Sequence, residues 1–223
     1  MITHLQDDYI HHFGLTGTNY QVLHSVLNGH LSLYDPKSCD PCISSNRQQC
    51  DNASFRQIFI LETNENVTCV NIEVFLNQFS GKKAGVRRKC DMLLYGGNKI
   101  SFLEMFCGEE KFLYPHPASH KDGSVEHKIG KLATVRQQIT STIDKLCEVP
   151  SIEEVIQTFQ KKEGIFGYRR KNANSVNPQQ ETPEESNISI FVKTAEMSSN
   201  DLHTRLSHGF IFKTVLYPEV YVW

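Results

Sequence analysis

Two acidic residues stand where acids are costly. Asp91 opens the apolar run Cys90–Tyr95, and Glu104 lies inside a second run, Lys99–Phe106. The short Gly96-Gly97-Asn98 link makes the two runs the arms of a β-hairpin, which brings the carboxylates close together. A buried carboxylate is unfavourable unless it is paired or ligated. Two that converge are what a hard divalent cation needs, with water and a substrate phosphate filling the rest of its shell. An ion pair between Asp91 and Arg87 or Arg88 is the alternative reading of the same residues. The basic run Lys82, Lys83, Arg87, Arg88 and Lys89 leads directly into the first arm and could follow a phosphate backbone. A second set, Lys161, Lys162, Arg169, Arg170 and Lys171, would lie near it if the elements fold together.

Other chemistry has thinner support. Cys39-Asp-Pro-Cys42 with Cys50, and His30 or Cys69 as a fourth ligand, could be drawn as a zinc site. The second close pair of ligands that marks such sites is missing, so zinc is not expected and the segment reads as a loop with incidental thiols. Cys90, Cys107 and Cys147 sit among apolar residues and are expected to act as small core hydrophobes. His116, His120 and His127 are irregularly spaced in a polar stretch, and His11 and His12 would project in different directions. There is no Gly-rich phosphate loop, G-x-S-x-G elbow or H-E-x-x-H pair.

The hairpin has a further significance. Cys90-Asp91, three apolar residues, a short turn and then Ile100-Ser-Phe-Leu-Glu104-Met-Phe-Cys107 resembles the core hairpin of the PD-(D/E)xK nuclease superfamily. The helical stretch with Gln137 and Gln138 is similar to that family's glutamine-bearing helix, and residues 151–159 and 161–170 to its next elements. The likeness spans residues 70–170. It implies a restriction-endonuclease-like core, Asp91 and Glu104 as ligands for Mg2+ or Mn2+, and Gln138 as a supporting catalytic glutamine. The family's lysine belongs two residues after the glutamate, where this chain has Phe106. That lysine positions the attacking water and offsets charge in the transition state, which phenylalanine does not. Lys131, Arg136, Lys89 and Lys111 are candidate substitutes.

The resemblance therefore implies one of two functions. The first is a degenerate, non-catalytic nuclease-fold subunit acting as an accessory or binding protein within a larger prokaryotic complex, of the kind used against phage or plasmids. Trp223, at the end of VLYPEVYVW, would then offer a contact for the protein partner. The second is an active Mg2+- or Mn2+-dependent nuclease with a relocated basic residue.

The elements that must position these residues can be read from periodicity. Leu132, Val135, Ile139, Ile143 and Leu146 trace one apolar face and predict a helix over Lys131–Cys147, ended by Pro150. Ser151 and Glu154 form a capping-box pattern opening another helix to Phe159. Asn19 is placed to cap a helix striped by Val22, Leu23, Val26 and Leu27, and Ile72–Phe79 suggests one more. Strands are expected at Phe55–Glu62, Val67–Val70, Gly164–Arg169, Ile188–Thr194, Phe210–Leu216 and Val220–Trp223. Residues 35–54, 108–128 and 171–187 read as polar loops. The sum is α/β: one domain over 1–223 with a mixed central sheet flanked by helices and elaborated at both ends.

Composition bounds the partners. The 223 residues carry 23 basic and 25 acidic side chains, a formal charge of −2, which excludes a wholly basic nucleic-acid coat but not a local patch. No apolar stretch approaches the roughly 20 residues needed to span a bilayer, and MITHLQDDYIHHFG lacks the basic and apolar regions of a signal peptide. The expectation is a cytoplasmic protein with no membrane partner and no disulfide framework among its seven cysteines.

Overall fold

Side-chain alternation along neighbouring strands divides the molecule into two apolar layers. In this computed structural model the described residues are 1–15, 20–33, 58–108, 112–119, 125–170 and 205–223. A π-helical turn, His4–Asp8, runs into the short helix α1 (Tyr9–His12). Strands β1 (His24–Leu33) and β2 (Phe59–Val70) precede helix α2 (Ile72–Asn77), which Asn71 caps by accepting a hydrogen bond from the Val74 N–H at 3.0 Å. Next come β3 (Met92–Gly96), β4 (Lys99–Gly108) and a separate two-stranded ladder of β5 (His116–Ser119) and β6 (Val125–Lys128). Helices α3 (Lys131–Cys147) and α4 (Pro150–Thr158), then β7 (Lys161–Arg170), β8 (Ile211–Leu216) and β9 (Val220–Val222), complete the chain.

The main sheet is mixed and seven-stranded, in the order β1-β2-β3-β4-β7-β8 with β9 beside β2. β3 and β4 form the antiparallel hairpin, whereas β4 and β7 are parallel over ten residue pairs. Parallel neighbours require a long crossover, and α3 with α4 supplies it. On one face Leu93, Ile100, Phe102, Phe166 and Tyr168 pack against Val135, Ile139, Ile143 and Ile156 of these helices. On the other, Leu94, Leu103, Met105 and Ile165 join Phe59, Leu61 and Tyr221. Burial on both sides explains the apolar run of β4 and the apolar centre of β7, Gly164–Tyr168.

Several sequence expectations need correction. Residues 22–27 are not a helix. His24–Leu33 pairs antiparallel with β2, so Leu27 is buried while Val26 is 61% exposed, an alternation of period two. From Phe59 onward the two short strands expected at 55–62 and 67–70 are one strand, β2, and part of the polar stretch 108–128 is the β5–β6 ladder. The capping box of α4 does not form. Its N-cap is Val149, with Pro150 opening the helix, and Ser151 donates instead to Asp8 Oδ2 at 2.7 Å. Cys107 is exposed, near the end of β4, and is not a core residue. Residues 35–54, with Cys39, Cys42 and Cys50, and the expected strand 188–194 lie outside the described residues.

Gly130 sets where α3 begins. Its φ of +85° and ψ of 156° define a backbone region that only glycine occupies easily. A Cβ there would also meet the backbone of Tyr114 at 2.5 Å. Gly130→Ala is therefore expected to destabilise the protein by at least ~2 kcal/mol, roughly 4–8 °C in Tm. Thermal denaturation by circular dichroism checks this. The same change would displace the next residue, Lys131, whose position matters below.

Candidate active site

Hairpin pairing sets Asp91 beside Glu104. The ladder places Met92 opposite Leu103, and one step further the Asp91 N–H donates to Leu103 O at 3.1 Å. The Asp91 carboxylate accepts from the Met105 N–H through Oδ2 at 2.7 Å, which locks the side chain against the backbone next to Glu104. Both acids are buried, at 6% and 3% exposure. The neighbouring Cys90 N–H donates to Thr142 Oγ1 of the helix at 3.0 Å. The Cys90 thiol is pushed well above its ordinary pKa by burial, then by the charges of Glu104 and Asp91, which favours the neutral form.

Helix α3 adds two polar side chains to this pair. The Lys131 ammonium lies 2.9 Å from Glu104 Oε1, and Gln138 Nε2 donates to the same oxygen at 2.8 Å. Gln138 Nε2 also donates to Lys89 O at 3.0 Å, and its Oε1 accepts from Lys131 at 3.3 Å. The amide orientation follows from its neighbours, since an ammonium needs an acceptor and a carboxylate needs a donor. Lys131 and Gln138 are seven residues apart, two helical turns, so they share a face to within about 20°.

Phe106 stands two residues after Glu104, where the resemblance implies a lysine, and its ring lies beside one. Its ring stacks on Tyr168 at 6.0 Å, and the Lys131 ammonium lies 5.2 Å from the Phe106 centroid. Tyr168 is fixed in turn by donating its hydroxyl to Gly108 O at 3.0 Å. The ammonium is thus bounded by a carboxylate, an amide oxygen and an aromatic face, a favourable setting for a cation.

Of the candidate basic residues, Lys131 is thus brought to Glu104. Arg136 turns to the opposite flank of α3, donating to Arg205 O at 3.2 Å with its guanidinium 4.9 Å from the Phe212 ring. The Lys89 ammonium bonds Val86 O at 3.0 Å, and Lys111 lies outside the described residues. Lys82, Lys83, Arg87 and Arg88 are exposed on the segment that reaches the site through Lys89 O. The second basic set is not a cluster: Lys161 and Arg169 lie at opposite ends of β7, and Arg169 is buried with its guanidinium 4.5 Å from the Tyr217 ring.

The two alternative fourth zinc ligands stand apart on β1 and β2, and Cys39, Cys42 and Cys50 lie outside the described residues. His30 pairs with Glu62 and Cys69 with Ser25, which puts them about 16 Å apart along β1. Burial pushes the Cys69 thiol up to about 12. Trp223 is half-buried, 5.0 Å from the Lys99 ammonium, and packs within the chain.

One buried charge cluster escaped sequence reading. Glu163 on β7 faces Lys99 at 3.1 Å and Lys213 at 2.6 Å, and accepts from the Tyr221 hydroxyl. These residues come from four strands, so no local spacing signals them. They lie on the sheet face opposite Glu104.

No family model matches this chain, and neither a curated protein nor a solved structure does.

Proposed function

We propose that this protein is a divalent-cation-dependent nuclease with a restriction-endonuclease-like core, in which helix α3 supplies the lysine that strand β4 lacks. The observation that carries the reading is the Lys131 ammonium 2.9 Å from Glu104. The order of hairpin, glutamine-bearing helix and parallel strand β7 supports it. Two adjacent buried carboxylates are an all-oxygen donor pair that suits Mg2+ or Mn2+. Asp91 and Glu104 would hold that ion, which when bound would supply a water of lowered pKa and neutralise phosphate charge.

The chain's own groups do the rest. Lys131 orients the attacking water and faces the charge that develops on the phosphodiester oxygens. Gln138 holds both Lys131 and Glu104 in place, and Phe106 confines the ammonium from below. The exposed basic segment 82–89 draws the nucleic-acid backbone across the site, an attraction that weakens with salt.

The accessory-subunit reading, including membership of a prokaryotic defence complex, rests on the missing lysine, and Lys131 removes much of that motive. It keeps one observation in its favour: Val220 and Val222 of β9 expose apolar side chains, at 37% and 65%.

The test is incubation of purified protein with plasmid, single-stranded DNA and RNA in Mg2+ or Mn2+. The expected result is cutting that chelation stops and that is absent in Glu104→Ala of unchanged Tm. Failure to cut any of the three substrates would overturn the nuclease reading, and co-purification from the source cell would then test for a partner protein.

A further inference from the structure

The far end of α3 holds a second set of converging groups with different chemistry. Cys147, the last residue of α3, Glu153 in the first turns of α4, and His208 in the turn Ser207–Gly209 before β8 present one ligand atom each, all within 4.8 Å of one another. Cys147 is buried at 8% exposure, while Glu153 and His208 are half-buried, so solvent reaches the open side of the group. His208 Nδ1 lies 3.2 Å from Glu153 Oε1, and its Nε2 lies 3.6 Å from Asp144 Oδ1. The His208 carbonyl is tied to β7 by the Lys162 ammonium at 3.5 Å.

The donor set is one thiol, one imidazole and one carboxylate. Mg2+ and Ca2+ take oxygen ligands, whereas sulfur, nitrogen and oxygen together are the ligands of zinc. The two ring nitrogens of His208 are already differentiated. Nδ1 faces the would-be ligands, and Nε2 faces a carboxylate that would fix the tautomer, as outer carboxylates do for zinc-bound histidines. The site is not the cation site of the nuclease reading, since Cys147 is about 24 Å along the helix axis from Lys131. Nor does it involve Cys39, Cys42 or Cys50.

We infer that Cys147, Glu153 and His208 form a zinc-binding site, with Asp144 orienting His208 and water in the fourth position. Binding replaces the Cys147 S–H bond with an S–Zn bond and releases the proton to solvent. The ion ties the corner between α3 and α4 to the turn that leads into β8. Because α3 also carries Lys131 and Gln138, zinc would stiffen the element that completes the other site. The inference stands whether or not the protein cuts nucleic acid.

Co2+ is the probe. Titration of the metal-free full chain should give a near-ultraviolet thiolate-to-cobalt band that saturates at one equivalent and that Zn2+ displaces. Cys147→Ser should abolish the band, and Asp144→Asn should weaken affinity by about 10–100-fold. The combined variant Cys39→Ser, Cys42→Ser, Cys50→Ser should keep the band. No band in the unaltered protein, a band that survives Cys147→Ser, or one lost with the other three cysteines would each overturn the assignment. Should Cys147→Ser fail to fold, the half-exposed His208→Ala serves instead, and unchanged cobalt affinity there overturns it equally.

Discussion

Lys131→Met is expected to lower cation-dependent cleavage by about 10^2–10^3-fold, the usual cost of removing one group aimed at developing transition-state charge. Methionine keeps the unbranched stem, so packing of the first turn of α3 should survive and Tm should change little. The decisive variant adds the lysine where the motif that the hairpin resembles has it. Phe106 is two residues after Glu104 on the same strand, so its side chain leaves the sheet on the same face. Phe106→Lys in the Lys131→Met background should return part of the lost rate, because an ammonium again stands beside Glu104. Phe106→Ala alone should cost less, about 2–30-fold, since it removes only the ring beneath the ammonium, worth about 0.5–2 kcal/mol. If Lys131→Met cuts as well as the unaltered protein, Lys131 has no role in the chemistry. Initial rates at saturating Mn2+, with thermal melts of every variant, distinguish these outcomes.

Why Lys131 stood as only one of four candidates is instructive. The helix itself was legible to the residue, because Leu132, Val135, Ile139, Ile143 and Leu146 repeat at the helical period and Pro150 stops it. What the period does not give is the rotation of that helix about its axis relative to the sheet. That phase is set by the crossover between β4 and β7, which buries the apolar face and leaves Lys131 and Gln138 on the flank towards Glu104. One elimination was nevertheless available. Arg136 is two residues before Gln138, roughly 160° away around the helix, so both could not serve one site. The first strand shows a different limit. Val22, Leu23, Val26 and Leu27 fit a helical stripe, yet Leu27, Leu31 and Leu33 stand at even spacing, and pairing with β2 decides the matter. The hairpin was legible for the opposite reason: its turn and its partner strand are adjacent in sequence.

The Glu163 cluster was invisible because Lys99 and Glu163 meet only when β4 pairs with β7, and its energetic consequence is the largest expected for stability. Glu163→Leu should cost about 3–5 kcal/mol, the usual penalty for removing one partner of a buried ion pair. The Lys99 side chain is 8% exposed, and Glu163 supplies its only carboxylate contact among the described ion pairs. Lys99→Met should cost much less, for a reason visible in the two protonation equilibria. Burial lowers the pKa of Lys99, outweighing the pull of Glu163, so its ammonium is held there at some expense. Burial alone would raise Glu163, but hydrogen bonds from Lys213 and Tyr221 and the charge of Lys99 hold it below its ordinary value. Lys213 and Tyr221 remain when Lys99 is gone. The sign for pH follows. A carboxylate with a lowered folded pKa contributes stability that is complete above its unfolded value and is lost as pH falls through the folded one. Urea denaturation from about pH 7 down to about pH 3 should therefore show an acid loss that is shallower in Glu163→Leu than in the unaltered protein. The double variant Glu163→Leu, Lys99→Met should recover much of the stability lost by Glu163→Leu alone, because the stranded charge is removed with its partner. Additive losses in the double variant would mean that the two groups are not energetically coupled despite their 3.1 Å contact.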